Sequence, residues 1–596
     1  MKKLKNIVQM SLFSIKIVFA AAPVRMLLYM VLTLVSSFIP TIKLAVYRNL
    51  FNEAQILIET PELGNAGLMM LYAAIDIGLT FMSWNVIGQI RNYIKTTIND
   101  TYNEKVNRKI FDKLSRVKYD YFLNEETYDL MSRVQGNCCE TIFTTSFYFI
   151  RVVSNFISLV SAFTYMASIS PLYAIIGFLV SIPFVGITRK YNMDSYFQKR
   201  GQTPEHRKNG YLYNLLMSRN AIKEIRIDES TDYLLEQWKE QNNKLFRESH
   251  KLRRKHLYQY TYYDIFYALV RGVVIFLNVL DILKGIRLVG DLTLIINGYA
   301  VLSSSTEIFG YSLSDFEVNE KLYAEWKEFF DYPEEIPVTE ESKAVVGSQF
   351  KNHGLSMSGI RYKYPNSDKT VLESLNFTVK PGEKIALVGE NGCGKTTTVR
   401  ILLGLLTASE GEFECGTSCK PEEYRDVISC VFQNHINYSG TIRDNIIFGD
   451  HSYDEERMKK VCEQVGILKF IENLPEGFDT RVGPIFENST QLSGGQWQKL
   501  AFARALYKKS AELLILDEPT AALDPKTEFD IYDEFLHLTE ERAVVLISHR
   551  LAFTRLMDRI CYMENGCIAE EGTHEELMRL GGKYYELYNK QIELFK

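Results

Sequence analysis

From Val152 to Thr188 the chain carries no charged residue. A run of this length and composition exceeds the roughly 20 residues that one helix needs to cross a bilayer. Ser168-Ile169-Ser170-Pro171 falls near its middle, so the run reads as two helices joined by a tight turn. Met26–Ile42 is mostly apolar and is bounded by Arg25 and Lys43, and Ala66–Ile90 holds a single ionisable residue, Asp76. Two further runs, about Tyr258–Leu283 and Leu292–Phe309, are separated by Lys284-Gly285 and Gly290-Asp291. The expectation is six membrane-spanning helices.

Charge sets the orientation. Residues 91–140 carry Arg91, Lys95, Lys105, Arg108, Lys109 and Lys113, and residues 189–257 end in Arg253-Arg254-Lys255. The opposite connections are short, and the first carries Glu53, Glu59 and Glu62. The positive-inside rule therefore assigns both termini and the two long connections to the cytosol, as in a multi-pass protein of the cell membrane. Those connections are polar and poor in proline, with apolar residues at helical spacing, as in Tyr233-Leu234-Leu235 through Trp238. Spans continued as long cytosolic helices are expected. A net charge of −5 gives no reason to expect nucleic acid as a partner. The nine cysteines show one adjacent pair, Cys138-Cys139, and one short spacing, Cys415 to Cys419, without histidines at metal-ligand spacing. They read as reduced thiols. Lys2, Lys3 and Lys5 make the N-terminus basic, but no small-residue cleavage site follows, so a cleaved signal peptide is not expected.

Residues 331–350, with Pro333, Glu334, Glu335 and Pro337, change character and read as a linker. The predicted organisation is an all-α transmembrane region over 1–330 and an α/β domain over 351–596. In that domain Ile385-Ala386-Leu387-Val388 signals a buried strand. It runs into Gly389-Glu390-Asn391-Gly392-Cys393-Gly394-Lys395-Thr396, a GxxxxGK[ST] phosphate loop, and a helix follows from Thr397 to Leu406. Its glycines let backbone N–H groups close around phosphates, Lys395 reaches the β- and γ-phosphates, and the Thr396 hydroxyl suits Mg²⁺. Downstream, Leu513-Leu514-Ile515-Leu516 ends in Asp517-Glu518. A central parallel strand would present both acids to the loop, Asp517 holding Mg²⁺ through water and Glu518 polarising the attacking water. Between them, Leu492-Ser493-Gly494-Gly495-Gln496 opens a helix with a second anion-binding turn that lacks a lysine. One chain has no need of two γ-phosphate sites, so this turn would complete the site of a second copy.

With these motifs the domain resembles the ATP-binding-cassette (ABC) ATPases, and Leu492–Gln496 match the family's signature sequence. The resemblance implies further roles. Tyr364 would stack on adenine, Gln433 would sense Mg²⁺, water and the membrane domain, Asp524 would contact the partner subunit, and His549 would contact the γ-phosphate. The ATP-contacting set is then Tyr364, Gly389–Thr397, Ser493–Gln496 and Asp524, with Thr396, Gln433 and Asp517 at Mg²⁺ and with Glu518, His549 and Gln433 in hydrolysis. No such position is degenerate, so two identical copies would form two competent sites, although a heterodimer with a sister half-transporter is also open.

The whole chain resembles ABC exporters, in which a six-span region precedes one ATPase domain. Around Tyr121–Asp129 it is similar to the first coupling segment of bacterial peptide and multidrug exporters, and Ala221–Arg226 through Tyr233–Glu236 resembles the second. Phe486-Glu487 and Gln491-Leu492-Ser493-Gly494-Gly495-Gln496-Trp497-Gln498 look like exporters of lantibiotic-type modified peptides, except that Asn488 stands where a glycine is expected. The first span begins a few turns from residue 1, so no peptidase domain is expected ahead of it. A small peptide or amphipathic substrate is implied, with a multidrug exporter, a lipid flippase or an ATP-gated regulator as alternatives. Asp76, Arg271 and Glu307 sit inside apolar runs and Asp264 and Asp281 nearer the ends of one; such residues either face a bundle interior or aqueous cavity or pair with one another, with Arg271 and Asp76 as the candidate pair.

Overall fold

The structure is a computed structural model that describes residues 2–59, 66–134, 138–218, 221–335, 337–365, 367–448, 450, 453–487, 489–517, 539, 541–548 and 551–595. The chain forms two compact units, Met1–Ser115 with Asp129–Tyr332, and Arg116–Tyr128 with Pro333–Lys596.

The first unit is helical: α1 (Lys2–Ala21), α2 (Pro23–Ser36), α3 (Ile39–Glu59), α4 (Ala66–Phe81), α5 (Gln89–Leu114), α6 (Glu125–Arg133, shared with the second unit), α7 (Cys139–Ile169), α8 (Pro171–Gly201), α9 (Thr203–Met217), α10 (Ile222–Ile227), α11 (Thr231–Leu283) and α12 (Val289–Asp331). Pro23 and Pro171 open α2 and α8, where a helix has no use for the missing N–H. α4 and α5 run together through a π-helical stretch, Met82–Gly88. As expected, α11 is one continuous helix that carries an apolar span and a long charged extension.

Among the described residues five helical stretches are long and apolar enough to cross a membrane: Pro23–Glu59, Ala66–Leu114, Cys139–Ile169, Pro171–Gly201 and Thr231–Leu283. The sixth expected span, Leu292–Phe309, lies in α12, which is not among them. The reason is what surrounds it. α12 packs against α3, α7 and α8 and buries Leu294, Ile295, Tyr299 and Leu302 in the unit's core. A helix that packs on protein along one side and lines a cavity along another does not need lipid-facing apolarity and tolerates Asn297, Ser304 and Glu307.

Two glycines allow this packing. A Cβ on Gly298 would sit 2.2 Å from Met166 Sδ, and one on Gly290 would sit 2.1 Å from the Arg48 carbonyl. At the same corner Gly290 N–H donates to Asn52 Oδ1 (2.9 Å) and Arg48 Nε donates to Asp291 (2.7 Å), tying α12 to α3. The charges inside the spans also find partners. Asp76 pairs with Lys43 at 3.3 Å and not with the candidate Arg271, because α3 and α4 are direct neighbours. Arg271 donates instead to the Ile296 carbonyl (3.3 Å), and Glu307 accepts from Tyr260 OH (3.3 Å).

The second unit contains α13 (Glu340–His353), which covers part of the expected linker and buries Val346 and Phe350. Its strands are β1 (Leu355–Lys363), β2 (Thr370–Val379), β3 (Lys384–Gly389), β4 (Glu410–Glu414), β5 (Ile428–Val431), β6 (Gly440–Thr441), β7 (Arg481–Val482), β8 (Leu513–Asp517), β9 (Ala543–Ile547), β10 (Arg559–Glu564) and β11 (Cys567–Gly572). The main sheet runs β11-β10-β3-β9-β8-β5, parallel from β10 to β5 with β11 antiparallel at the edge. A smaller antiparallel sheet runs β2-β1-β4. The period of two along β8 and β9 serves two cores. Leu514, Leu516, Val544 and Leu546 enter one, while Leu513, Ile515, Val545 and Ile547 enter the other. Residues 116–128 belong to this unit: Tyr119 and Leu123 pack against the second core, and Asp120 accepts from Thr407 N–H (3.1 Å).

Gly290→Ala, which drives a methyl group into the Arg48 carbonyl, is expected to cost about 1–3 kcal/mol. Thermal unfolding of the purified protein in detergent would show a lowered midpoint. Gly78→Ala, where the added methyl meets no atom within 4 Å, should not lower it.

Candidate functional site

Parallel pairing decides where the motifs meet. β3, β9, β8 and β5 point the same way, so their C-terminal ends share one edge of the sheet. The phosphate loop leaves β3 there, Asp517 ends β8, and Gln433 follows β5 by two residues. β8 lies two strands from β3, about 10 Å at the usual spacing. Glu518, Asp524 and His549 follow in the sequence but lie outside the described residues, as does Asn488.

The loop opens α14 (Lys395–Leu402) through Gly394, whose φ of 112° no β-carbon-bearing residue adopts without strain. Gly389 is required for closeness, since a Cβ there would lie 2.4 Å from the Met563 carbonyl. Glu390, Asn391, Gly392 and Thr396 are exposed, while Lys395 and Thr397 are buried. The Lys395 ammonium donates to the carbonyls of Gly389 (2.8 Å) and Glu390 (2.9 Å) and lies 3.8 Å from Cys393 Sγ. It is therefore folded over the loop that the sequence assigns to phosphate. Tyr364 is joined to the same helix, its hydroxyl 3.2 Å from Thr397 Oγ1, and its ring meets Tyr362 edge-on.

Sequence reading missed the brace behind the loop. Gly566 N–H donates to the Cys393 carbonyl (3.1 Å) from the turn between β10 and β11. Asn565 and Gly566 both have positive φ, 48° and 79°. The signal was present, because Asn-Gly between two apolar runs is a strong hairpin signature. Thr398 is a second omission: its hydroxyl returns to the Gly394 carbonyl (3.0 Å) and fixes the helix start.

Ser493 caps α15 (Gly494–Tyr507). Its Oγ accepts from Gln496 N–H (3.3 Å), and its own N–H donates to Gln496 Oε1 (2.8 Å), a reciprocal capping box. The N–H groups of Gly494 and Gly495 precede the first intrahelical bond, and Ser493 and Gly494 are exposed. The turn is thus a preformed anion-facing helix start that opens to solvent. Arg504, on the same helix, donates to the Asn445 carbonyl (2.8 Å) and to Asn445 Oδ1 (3.1 Å), locking α15 to the segment behind it.

Of the cysteines, Cys138, Cys139, Cys415, Cys419, Cys462 and Cys561 are buried, while Cys393, Cys430 and Cys567 are half-buried. Burial, with the nearby Asp517 carboxylate adding to it, pushes the Cys430 thiol up and disfavours its reactive form. Cys393 instead sits on the exposed loop beside the Lys395 ammonium. Maleimide should therefore inhibit ATP hydrolysis, and ATP added first should protect. Cys393→Ser should keep activity and remove most of the inhibition, while Cys430→Ser should leave it. Equal inhibition of the wild type and Cys393→Ser would assign the effect to another thiol.

The ABC transporter family model matches residues 372–521, which include the phosphate loop, the Ser493 turn and β8. The subtilin transport ATP-binding protein SpaT of Bacillus subtilis is 30% identical over 87% of this chain and 84% of its own length. The nisin transport ATP-binding protein NisT of Lactococcus lactis subsp. lactis is 27% identical over 96% of this chain and 95% of its own. A solved structure of a bacterial Atm1-family ABC exporter with ATP bound superposes with a TM-score of 0.74, at 21% identity, over 96% of this chain and 99% of that one. The chain belongs to the ABC transporter family, as an ATPase coupled to membrane transport in which an N-terminal helical membrane domain of exporter fold is fused to one ATP-binding domain.

Proposed function

We propose that this protein is a homodimer of the cytoplasmic membrane, with both termini in the cytosol, that exports a small modified peptide at the expense of ATP hydrolysis. The observation that carries the reading is the pairing, in one chain, of a single phosphate loop with a single solvent-facing signature turn, in a protein similar along most of its length to transporters named for subtilin and nisin. In this reading the membrane region is 1–330, the linker 331–350 and the ATPase 351–596, with residues 116–128 and α13 packed into the ATPase unit.

In the proposed cycle the loop N–H groups and Lys395 of one copy hold the β- and γ-phosphates, and Ser493, Gly494 and Gly495 of the other close over the γ-phosphate. Tyr364 stacks on adenine and Asp524 meets the second copy. Thr396, Asp517 and Gln433 offer hydroxyl, carboxylate and amide oxygens, a hard-donor set that suits Mg²⁺ shared with phosphate. Among the described residues no group of three or more His, Cys, Asp or Glu could hold a metal without such help. When bound, Mg²⁺ supplies charge neutralisation on the phosphates. Glu518 takes the proton of the attacking water, and His549 contacts the γ-phosphate. Around α10, Met217, Ile227 and Tyr233 are exposed apolar side chains, which suits a segment that docks on the ATPase domain of a second copy.

Glu518→Gln should keep ATP binding and lose about 10²–10⁴-fold in turnover. Near-wild-type steady-state hydrolysis would remove Glu518 from the role of general base. For the shared site, coexpressed Lys395→Ala and Ser493→Arg copies, purified as mixed dimers through two affinity tags, should recover one working site and clear activity. Mixed dimers no more active than either single variant would mean that each chain builds its own site.

A further inference from the structure

The first unit contains a cavity of about 1090 Å³ bounded by α2, α3, the π-helical stretch with α5, α7 and α12. That volume lies just above the usual range for small-ligand sites, about 300–1,000 Å³, and leaves room for a peptide segment. Lys43, Arg91, Lys95 and Arg151 line it, and no lining residue is acidic. Four cations on three helices of a membrane domain, with no acid among them, favour an anion in the space between.

Their partners within the chain are incomplete. Lys43 meets Asp76 (3.3 Å) and Thr80 Oγ1 (2.8 Å), and Asp76 itself does not line the cavity. Arg91 is steadied by a neutral group, donating to Ser36 Oγ (3.1 Å), and Lys95 lies over the Phe147 ring at 5.5 Å. Arg151 acts electrostatically on Asp315, but among the described residues no carboxylate comes within ion-pair distance of Arg91, Lys95 or Arg151.

The rest of the wall is neutral and rich in hydrogen-bonding groups. Ser83, Asn92, Ser154, Asn155, Asn297 and Ser304 supply hydroxyls and amides, and Tyr29, Tyr47 and Trp84 supply aromatic surface. Such a wall suits peptide backbone and side chains better than acyl chains, which form no hydrogen bonds. The π-helical stretch contributes Ser83, Trp84 and Gly88 to it, and π-turns inside longer helices recur at functional sites.

We propose that this cavity is a substrate-binding site selective for peptides that carry carboxylate side chains, with Arg91, Lys95 and Arg151 as the groups that recognise them. The proposal rests on the export reading and adds to it a charge class of cargo. Guanidinium groups bind carboxylates through charge-assisted hydrogen bonds and reject cationic segments. Lys43, already matched by Asp76, is placed to hold the α3–α4 pair together instead.

The test uses the full-length protein in nanodiscs of zwitterionic lipid and a rhodamine-labelled decapeptide made in two versions, with glutamates or with glutamines at the same positions. The glutamate peptide should bind about tenfold or more tighter and stimulate ATP hydrolysis more strongly. Arg91→Gln combined with Arg151→Gln should bring the two peptides to similar affinity while leaving the peptide-free ATPase rate and the dimer unchanged. Equal binding of both peptides by a wild-type protein that hydrolyses ATP normally would overturn the charge selectivity and leave the export reading standing. A variant that keeps the preference would overturn the residue assignment. Two other results would replace the proposal. Loss of the preference on adding phosphatidylglycerol to the bilayer, with stimulation by that lipid alone, would make an anionic lipid the occupant. A double variant that no longer dimerises would mean that acids of a second copy neutralise these cations. Absence of ATP hydrolysis in the wild type would instead count against the export reading itself.

Discussion

Parallel pairing of buried strands is the constraint on which the ATPase unit depends. β3, β8 and β9 are buried on both faces, so each must be apolar along its length, and their polar groups are confined to the strand ends. Because the strands run the same way, those ends gather on one edge. The phosphate loop, Asp517 and the segment with Gln433 become neighbours through sheet topology, with no side-chain contact required to bring them there. The loop is then held by its surroundings: Gly566 takes the Cys393 carbonyl, and Met563 allows only a glycine at position 389.

The helical unit rests on a different interaction. Lipid offers no hydrophobic drive for helices to associate, so close contact and hydrogen bonds must do the work. α12 uses both. Gly290 and Gly298 bring it against α3 and α7, and Asn52 and Arg48 bond its first turn. Thr306 Oγ1 meets Ser181 Oγ on α8 at 3.1 Å, and Asn319 reaches Thr145 Oγ1 on α7 at 2.7 Å. The polarity that lowers α12 as a membrane-span candidate is the same polarity that makes it the centre of the packing.

These two units explain why the sequence was informative to different degrees. The break at Ser168–Pro171, the long α11 and the strand–loop–helix of the phosphate site are local patterns, and each stands where the residues predicted it. The π-helical stretch at Met82–Gly88 was not legible, because nothing in that apolar run changes its apparent period. Arg91 and Lys95 read as the start of a basic cytosolic connection, yet both line the cavity beside Lys43. Residues 116–128 fall within the stretch assigned to the membrane region, where Tyr121–Asp129 resembles a coupling segment, and Tyr119, Asp120 and Leu123 are built into the ATPase unit.

The sequence by itself determined the chemistry of the phosphate loop, the acid-terminated strand and the capped signature helix. Those features are made by consecutive residues, and their geometry follows from backbone bonds a few positions apart. Tertiary structure alone decided which intramembrane charges meet, since the rotation of a helix about its axis is set by its neighbours and not by its apolar length. It gave Asp76 to Lys43 and left Arg271 to a carbonyl of α12. It also gathered cations from three helices around one polar cavity, a juxtaposition that no spacing along the chain records.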